Sequence, residues 1–304
     1  MAIKTVNLDN LTSPVLFRGD ALHAYRDPAA IYHDGVFHLF FTFVEPQPEG
    51  GPLMYMATST SRDLIHWTRL VRLTPSDRSL NFCSPGSIVR YGDEWVLGAT
   101  TYPRPNGEKY GNHTARLYKM RSRDLTTWSS PELMRVKGPD VPVEDMGRMI
   151  DPFLMEDKDE PGKWWCFYKQ NGVSLSWSRD MEHWTYFASY GAGENICVVV
   201  NNDEYVMFHC PDMGIDVWRS PDLVSWAPQE SILLGAQDWD WAKGRLTAGF
   251  VLDLRDQPEI GKFLMFFHGT GPEDERTMFD NYASIGIAWS DDLREWNWPG
   301  KDRV

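Results

Sequence analysis

Three carboxylic acids stand directly before apolar runs, where a solvated surface acid is not expected: Asp27 in Arg26-Asp27-Pro28, Asp151 in Ile150-Asp151-Pro152 and Glu194 in Gly193-Glu194-Asn195. An Asp before Pro often does no more than start a turn. Acids that converge across a pocket, however, have the parts needed to cleave an acetal. One carboxyl protonates the leaving oxygen while another activates water or attacks the sugar carbon. A third keeps its neighbour protonated to higher pH, because like charges close together resist ionising together. The three acids are far apart in the chain, so the elements that carry them decide whether they meet.

Those elements are marked by a repeat. Ser-x-Asp-(Leu/Met)-x-x-Trp occurs five times, at Ser61–Trp67, Ser122–Trp128, Ser178–Trp184, Ser220–Trp226 and Ser290–Trp296. Self-similarity at this scale means one supersecondary unit stacked on itself. A β-type segment precedes each copy, such as Leu53–Thr58 or Ser284–Trp289, with an aromatic-rich run and an Asn/Asp/Gly turn upstream. Short runs punctuated in this way read as antiparallel hairpins. Four strands repeated radially form a propeller blade. The chain is therefore expected to be all-β, a single five-bladed propeller over residues 1–304 with four antiparallel strands per blade. The repeated Asp should cap its turn through backbone amides, and the Trp should wedge between blades. Pro14–Phe17 should supply the outer strand of the last blade and close the ring.

In such a blade the innermost strand comes first and lines the central channel. The five lead-ins to that strand read Arg26-Asp27-Pro28, Cys83-Ser84-Pro85, Ile150-Asp151-Pro152, Gly193-Glu194-Asn195 and Leu246-Thr247-Ala248. At this alignment all three acids take one phase and face one channel mouth. The longer insertions, 44–52, 103–114, 136–149, 235–246 and 269–283, fall on the same face. Long loops on a rigid scaffold are where binding residues concentrate.

Composition limits the partners. The net charge of -13 repels nucleic acid and disfavours strongly acidic polysaccharides. A small neutral saccharide fits better. No run is long and apolar enough for a membrane helix, and the first residues do not read as a signal peptide. Cys83, Cys166, Cys197 and Cys210 are widely spaced, with no Cys-x-x-Cys pair. The expectation is a reduced, cytoplasmic protein without a membrane partner.

The segment Arg26–Phe41, with Asp151–Leu154 and Gly193-Glu194-Asn195, resembles the five-bladed propeller glycosidases, especially glycoside hydrolase family 43. The recurrent phrase is also common in the related fructan-cleaving families. The resemblance implies Asp27 as general base, Asp151 as the group that tunes pKa and orients substrate, and Glu194 as general acid. It implies the inverting route on an arabinofuranosyl or xylosyl unit. Cys83-Ser84-Pro85-Gly86-Ser87, and Asn195-Ile196 after Glu194, depart from the family pattern and leave the sugar open.

Around the acids, Arg26, Phe82, Tyr102, Trp239, Trp241, Arg245 and His268 are candidates to bind substrate. The two tryptophans offer stacking platforms or inter-blade packing. Arg245 could serve a sugar hydroxyl or an acid, or pair with Asp238 or Asp240. Phe82 and Tyr102 shape the subsite or fill the core. His268 is either a buried, satisfied histidine or, as in some relatives, the channel residue that holds a water on calcium. No metal or cofactor is otherwise expected: His23, His113 and His209 lack metal-ligand spacing. One rival is a phosphorylase using Arg26, Arg148 and Arg245 for phosphate. Another is a propeller that binds sugar without cleaving it.

Overall fold

The computed structural model describes residues 6–47, 49 and 51–301. Among them the chain forms five antiparallel sheets arranged as five blades. Blade I comprises Ala24–His33, Val36–Glu45, Leu53–Ser61 and Val71–Arg72. In blade II the innermost strand is split into Phe82–Cys83 and Ile88–Tyr91, followed by Glu94–Thr101, Leu117–Ser122 and Glu132–Leu133. Blade III is Ile150–Glu156, Trp164–Lys169, Val173–Ser178 and Trp184–Tyr190, and blade IV is Glu194–Asn201, Glu204–Cys210, Asp216–Ser220 and Ala227–Pro228. Blade V contributes Arg245–Leu254, Lys262–Thr270 and Ser284–Ser290. The helical content among the described residues is two 3-10 turns, Leu8–Asn10 and Val143–Met146.

Each copy of the repeated phrase is a turn built around one strained residue. Leu64, Leu125, Met181, Leu223 and Leu293 all have φ between 58° and 65°. A left-handed non-glycine residue costs about 1–2 kcal/mol. Here the side chain offsets that cost, because all five are buried in the core. The Asp supplies the rest of the turn: Asp124 Oδ1 accepts the amides of Thr126 (2.8 Å) and Thr127 (2.7 Å), and the other four copies repeat this. The tryptophans do wedge against the preceding blade. Trp128 meets Phe40, Trp226 meets Tyr190, and Trp296 meets Phe208.

The ring closes where expected. Val15–Phe17 pairs with the third strand of blade V, Val15 opposite Gly286 and Phe17 opposite Ile285. The chain's other end shares the task, because Trp296–Asn297 pairs further along the same strand. Two termini in one blade make closure a long-range contact between the first and last parts of the chain.

Candidate active site

The lead-ins obey a rule finer than the sequence alignment. Asp27, Ser84, Asp151, Asn195 and Ala248 all adopt positive φ, between 42° and 56°. Each donates its backbone N–H to a side chain of the preceding blade. Asp27 donates to His268 Nδ1 (3.0 Å), Ser84 to Thr42 Oγ1 (2.7 Å), Asp151 to Thr100 Oγ1 (2.9 Å) and Ala248 to Cys210 Sγ (2.9 Å). In blade IV, Asn195 N–H instead reaches the Asp151 carboxylate (3.2 Å). The left-handed residue breaks the strand register, as between Arg26 and Ala29 or between Glu194 and Cys197. It turns the next side chains into the channel.

This rule corrects the expected phase. Asp27, Ser84 and Asp151 are equivalent, but their counterparts in blades IV and V are Asn195 and Ala248. Glu194 is one residue earlier, at the phase of Arg26, Cys83, Ile150 and Thr247. Two equivalent acids and one offset acid still line a single pocket of about 490 Å3. The offset sets their depth. Asp27 and Asp151 also line the channel beneath the pocket, whereas Glu194 also lines an outer cleft of about 850 Å3. Gly193 is required at this step, because a Cβ there would lie 2.0 Å from the Cys210 carbonyl oxygen.

Hydrogen bonds hold the acids in place. The Asp27 carboxylate accepts Thr42 Oγ1 (2.9 Å), Ser84 Oγ (3.3 Å) and Asn195 Nδ2 (3.4 Å). Glu194 is paired with Arg245 Nη2 at 2.8 Å. Asp151 is buried, and its carboxyl is pushed up to about 7, first by burial and then by the charges of Glu194 and Asp27. His209 receives the Gly193 N–H at Nδ1 (2.9 Å), and burial pushes its pKa down to about 4.

The structure divides the other candidates. Arg26, Tyr102 and Arg245 line the pocket, joined by Arg148, Phe279 and Met54. Arg26 is committed to Glu275 (2.6 Å) and lies over the Phe279 ring. Of the alternatives for Arg245, the structure takes the acid partner and not Asp238 or Asp240: it bridges Glu194 and Glu275, while Asp240 takes Lys243. Phe82 is a core residue, edge-on to Tyr118 at 5.2 Å. Trp239 and Trp241 stack on one another at 5.0 Å and on Phe267, away from the pocket. Trp241 is buried and Trp239 half-buried, both packed on the core of blade V, where aromatic area is best used.

His268 is also corrected: it is buried behind Asp27 and does not line the pocket. Its Nδ1 takes the Asp27 amide and its Nε2 faces Glu275 (3.3 Å). Both ring nitrogens thus have protein partners, so the residues present do not fit a histidine serving a calcium-bound water. Among the described residues no group of three or more His, Cys, Asp or Glu could hold a metal ion. His23 pairs with Asp20, and His113 lends only its carbonyl to Arg116.

Sequence reasoning missed Glu275, Phe279, Thr42 and Asn195. Asn195 was within reach, since it is the residue after Glu194 and matches Asp27 once the phase is shifted. Glu275 had no signal, because Glu273-Asp274-Glu275 in a long loop reads as a solvated acidic turn.

The model of the glycosyl hydrolases family 32 N-terminal domain matches residues 25–215. No curated protein matches the chain. Among solved structures, the exo-1,5-alpha-L-arabinanase from a bovine ruminal metagenomic library superposes with a TM-score of 0.58 at 15% identity, covering 90% of this chain and 95% of that one. A family 117 glycoside hydrolase of Zobellia galactanivorans gives 0.65 at 15% identity, covering 88% and 84%. A thermostable family-43 glycoside hydrolase gives 0.62 at 14% identity, covering 92% of each chain. At such identities the likeness carries the five-bladed fold.

Proposed function

From a chain that belongs to the glycosyl hydrolases family 32 N-terminal domain family, and is therefore a glycoside hydrolase, we propose the cleavage of a small neutral glycoside by Asp27, Asp151 and Glu194. The reading rests on one observation: acids from three blades line one pocket, with Asp27 reaching its floor and Glu194 its outer cleft. A glycosyl unit seated between them directs its leaving group toward the cleft. Glu194 borders that exit and protonates the departing oxygen. Asp27 acts on the anomeric carbon from the inner side. Asp151 holds a proton up to about pH 7 and accepts the backbone N–H of Asn195, the residue after Glu194.

Inversion, with Asp27 as base on water, is the route the family 43 resemblance implies, and an arabinofuranosyl or xylosyl unit is its first candidate sugar. Chromogenic pentosides and hexosides, with proton NMR of the first-formed anomer, test both. Retention would make Asp27 the nucleophile. Asp27→Asn and Glu194→Gln should each lower turnover about 10²–10⁴-fold in a folded chain; full activity in either would end this reading. Phosphorolysis is the weaker alternative. Two of the three arginines lining the pocket are already paired with Glu194 and Glu275, and turnover should be unchanged by added phosphate.

A further inference from the structure

Glu275 sits on the loop between the second and third strands of blade V, yet it is only 6% exposed. Its Oε1 accepts from Arg26 Nη2 (2.6 Å), His268 Nε2 (3.3 Å) and Thr270 Oγ1 (3.3 Å), and its Oε2 pairs with Arg245 Nη1. Burial alone would raise its pKa. The charge of Arg26, the His268 bond and the charge of Arg245 outweigh burial and hold it well below the carboxylate range. The loop is anchored again just beyond this residue. Asp280 takes a two-pronged bond from Arg104 of the blade II insertion (2.6 and 2.8 Å), and Phe279 lies beneath the Arg26 guanidinium.

Every ionisable partner of Glu275 is tied to a proposed catalytic acid. Arg245 turns its other amino group to Glu194, at 2.8 Å. His268 accepts the Asp27 amide, which requires the tautomer with its proton on Nε2, the nitrogen that faces Glu275. Arg26 is the residue before Asp27. One buried carboxylate thus holds the supports of the acids at both ends of the pocket.

We propose that Glu275 is a positioning residue for glycoside cleavage, dividing the Arg245 fork between two carboxylates so that Glu194 is oriented but keeps access to a proton. The proposal rests on Glu194 as the proton donor. Without Glu275, both amino groups of Arg245 become free to close on Glu194 as a bidentate pair, which favours the carboxylate over the acid. His268 also loses the acceptor that sets its tautomer.

The test is the dependence on the leaving group. A methoxide leaving group needs its proton from the enzyme, whereas 2,4-dinitrophenolate departs without one. The methyl and 2,4-dinitrophenyl glycosides of a sugar the wild-type protein hydrolyses are compared in Glu275→Gln, with thermal unfolding confirming that the chain is folded. The expected result is a fall in kcat/KM of about 10²-fold on the methyl glycoside and under about 10-fold on the dinitrophenyl glycoside. An equal fall on both, or none on either, overturns the proposal. If Glu275→Gln does not fold, Glu275→Asp is read in the same way: it keeps the buried charge near Arg26 but draws back from Arg245. Glu194→Gln is run alongside. If it shows no split, the assignment of Glu194 as proton donor fails; if it shows the split and the Glu275 variant does not, only the role of Glu275 fails.

Discussion

At the scale of the residue, Asp151 is a carboxyl whose environment works against its charge. Burial comes first, then Glu194 and Asp27, and together they hold its proton to about pH 7. An unfolded Asp releases its proton near pH ~3.9. Between these values the folded chain binds more protons than the unfolded one, so this group makes stability fall as pH rises through that window and leaves a constant penalty above it. Asp151→Asn removes the titration while keeping the shape. Its melting temperature relative to wild type should therefore rise from pH 4 to pH 7 and level off beyond. A difference that does not change with pH would show that Asp151 is not buried beside like charges. The residue scale also explains the misplaced candidates. Phe82, Trp239 and Trp241 have the right chemistry for a sugar platform, but their area is used in the core. Tyr102 and Arg245, by contrast, do reach this pocket.

At the scale of the element, the repeated turn and the lead-in use the same device, a left-handed residue bought by its surroundings, for different ends. In the turn, a buried Leu or Met offsets the strain and the Asp closes the backbone. Asp124→Ala leaves the amides of Thr126 and Thr127 without their acceptor on an exposed turn. It should cost about 1 kcal/mol in denaturant unfolding, with kcat unchanged. A loss of turnover at constant stability would mean that the phrase has a chemical role. In the lead-in, strain is offset by a hydrogen bond to the preceding blade. That bond makes each blade position the functional residue of the next: His268 of blade V holds Asp27 of blade I, and Thr100 of blade II holds Asp151 of blade III. Backbone strain held by over-determined neighbours is common at functional sites.

At the scale of the whole molecule, the ring places Asp27 against blade V, so closure and chemistry are coupled. Phe17, on the closing strand, packs against Tyr25, Phe41 and Trp67 with ring centroids 5.3–5.6 Å apart. Phe17→Ala should destabilise the fold by ~2–4 kcal/mol, somewhat below the cost for a fully buried Phe. Because His268 and Glu275 come from the blade this strand completes, hydrolysis should fail at a lower temperature than in wild type, in step with unfolding. An unchanged melting temperature would show that Trp296–Asn297 closes the ring unaided.

The sequence by itself determined the number of blades, the turn that ends each third strand, the strand that closes the ring and the three acids of the pocket. These are written locally, in a phrase of seven residues and in short lead-ins, because a strained turn or a strand start demands particular residues at fixed spacing. Only the tertiary structure decided the depth of each acid, since a one-residue shift in where the left-handed residue falls moves Glu194 from the floor to the rim. It also decided the partners of Arg245, the burial of Glu275 and the inward turn of Trp239 and Trp241. Those outcomes depend on which loop of one blade lies over which strand of another. Contacts between residues 227 to 265 positions apart, such as Tyr32 with Glu259 and Gly19 with Ser284, leave no periodic trace in the chain.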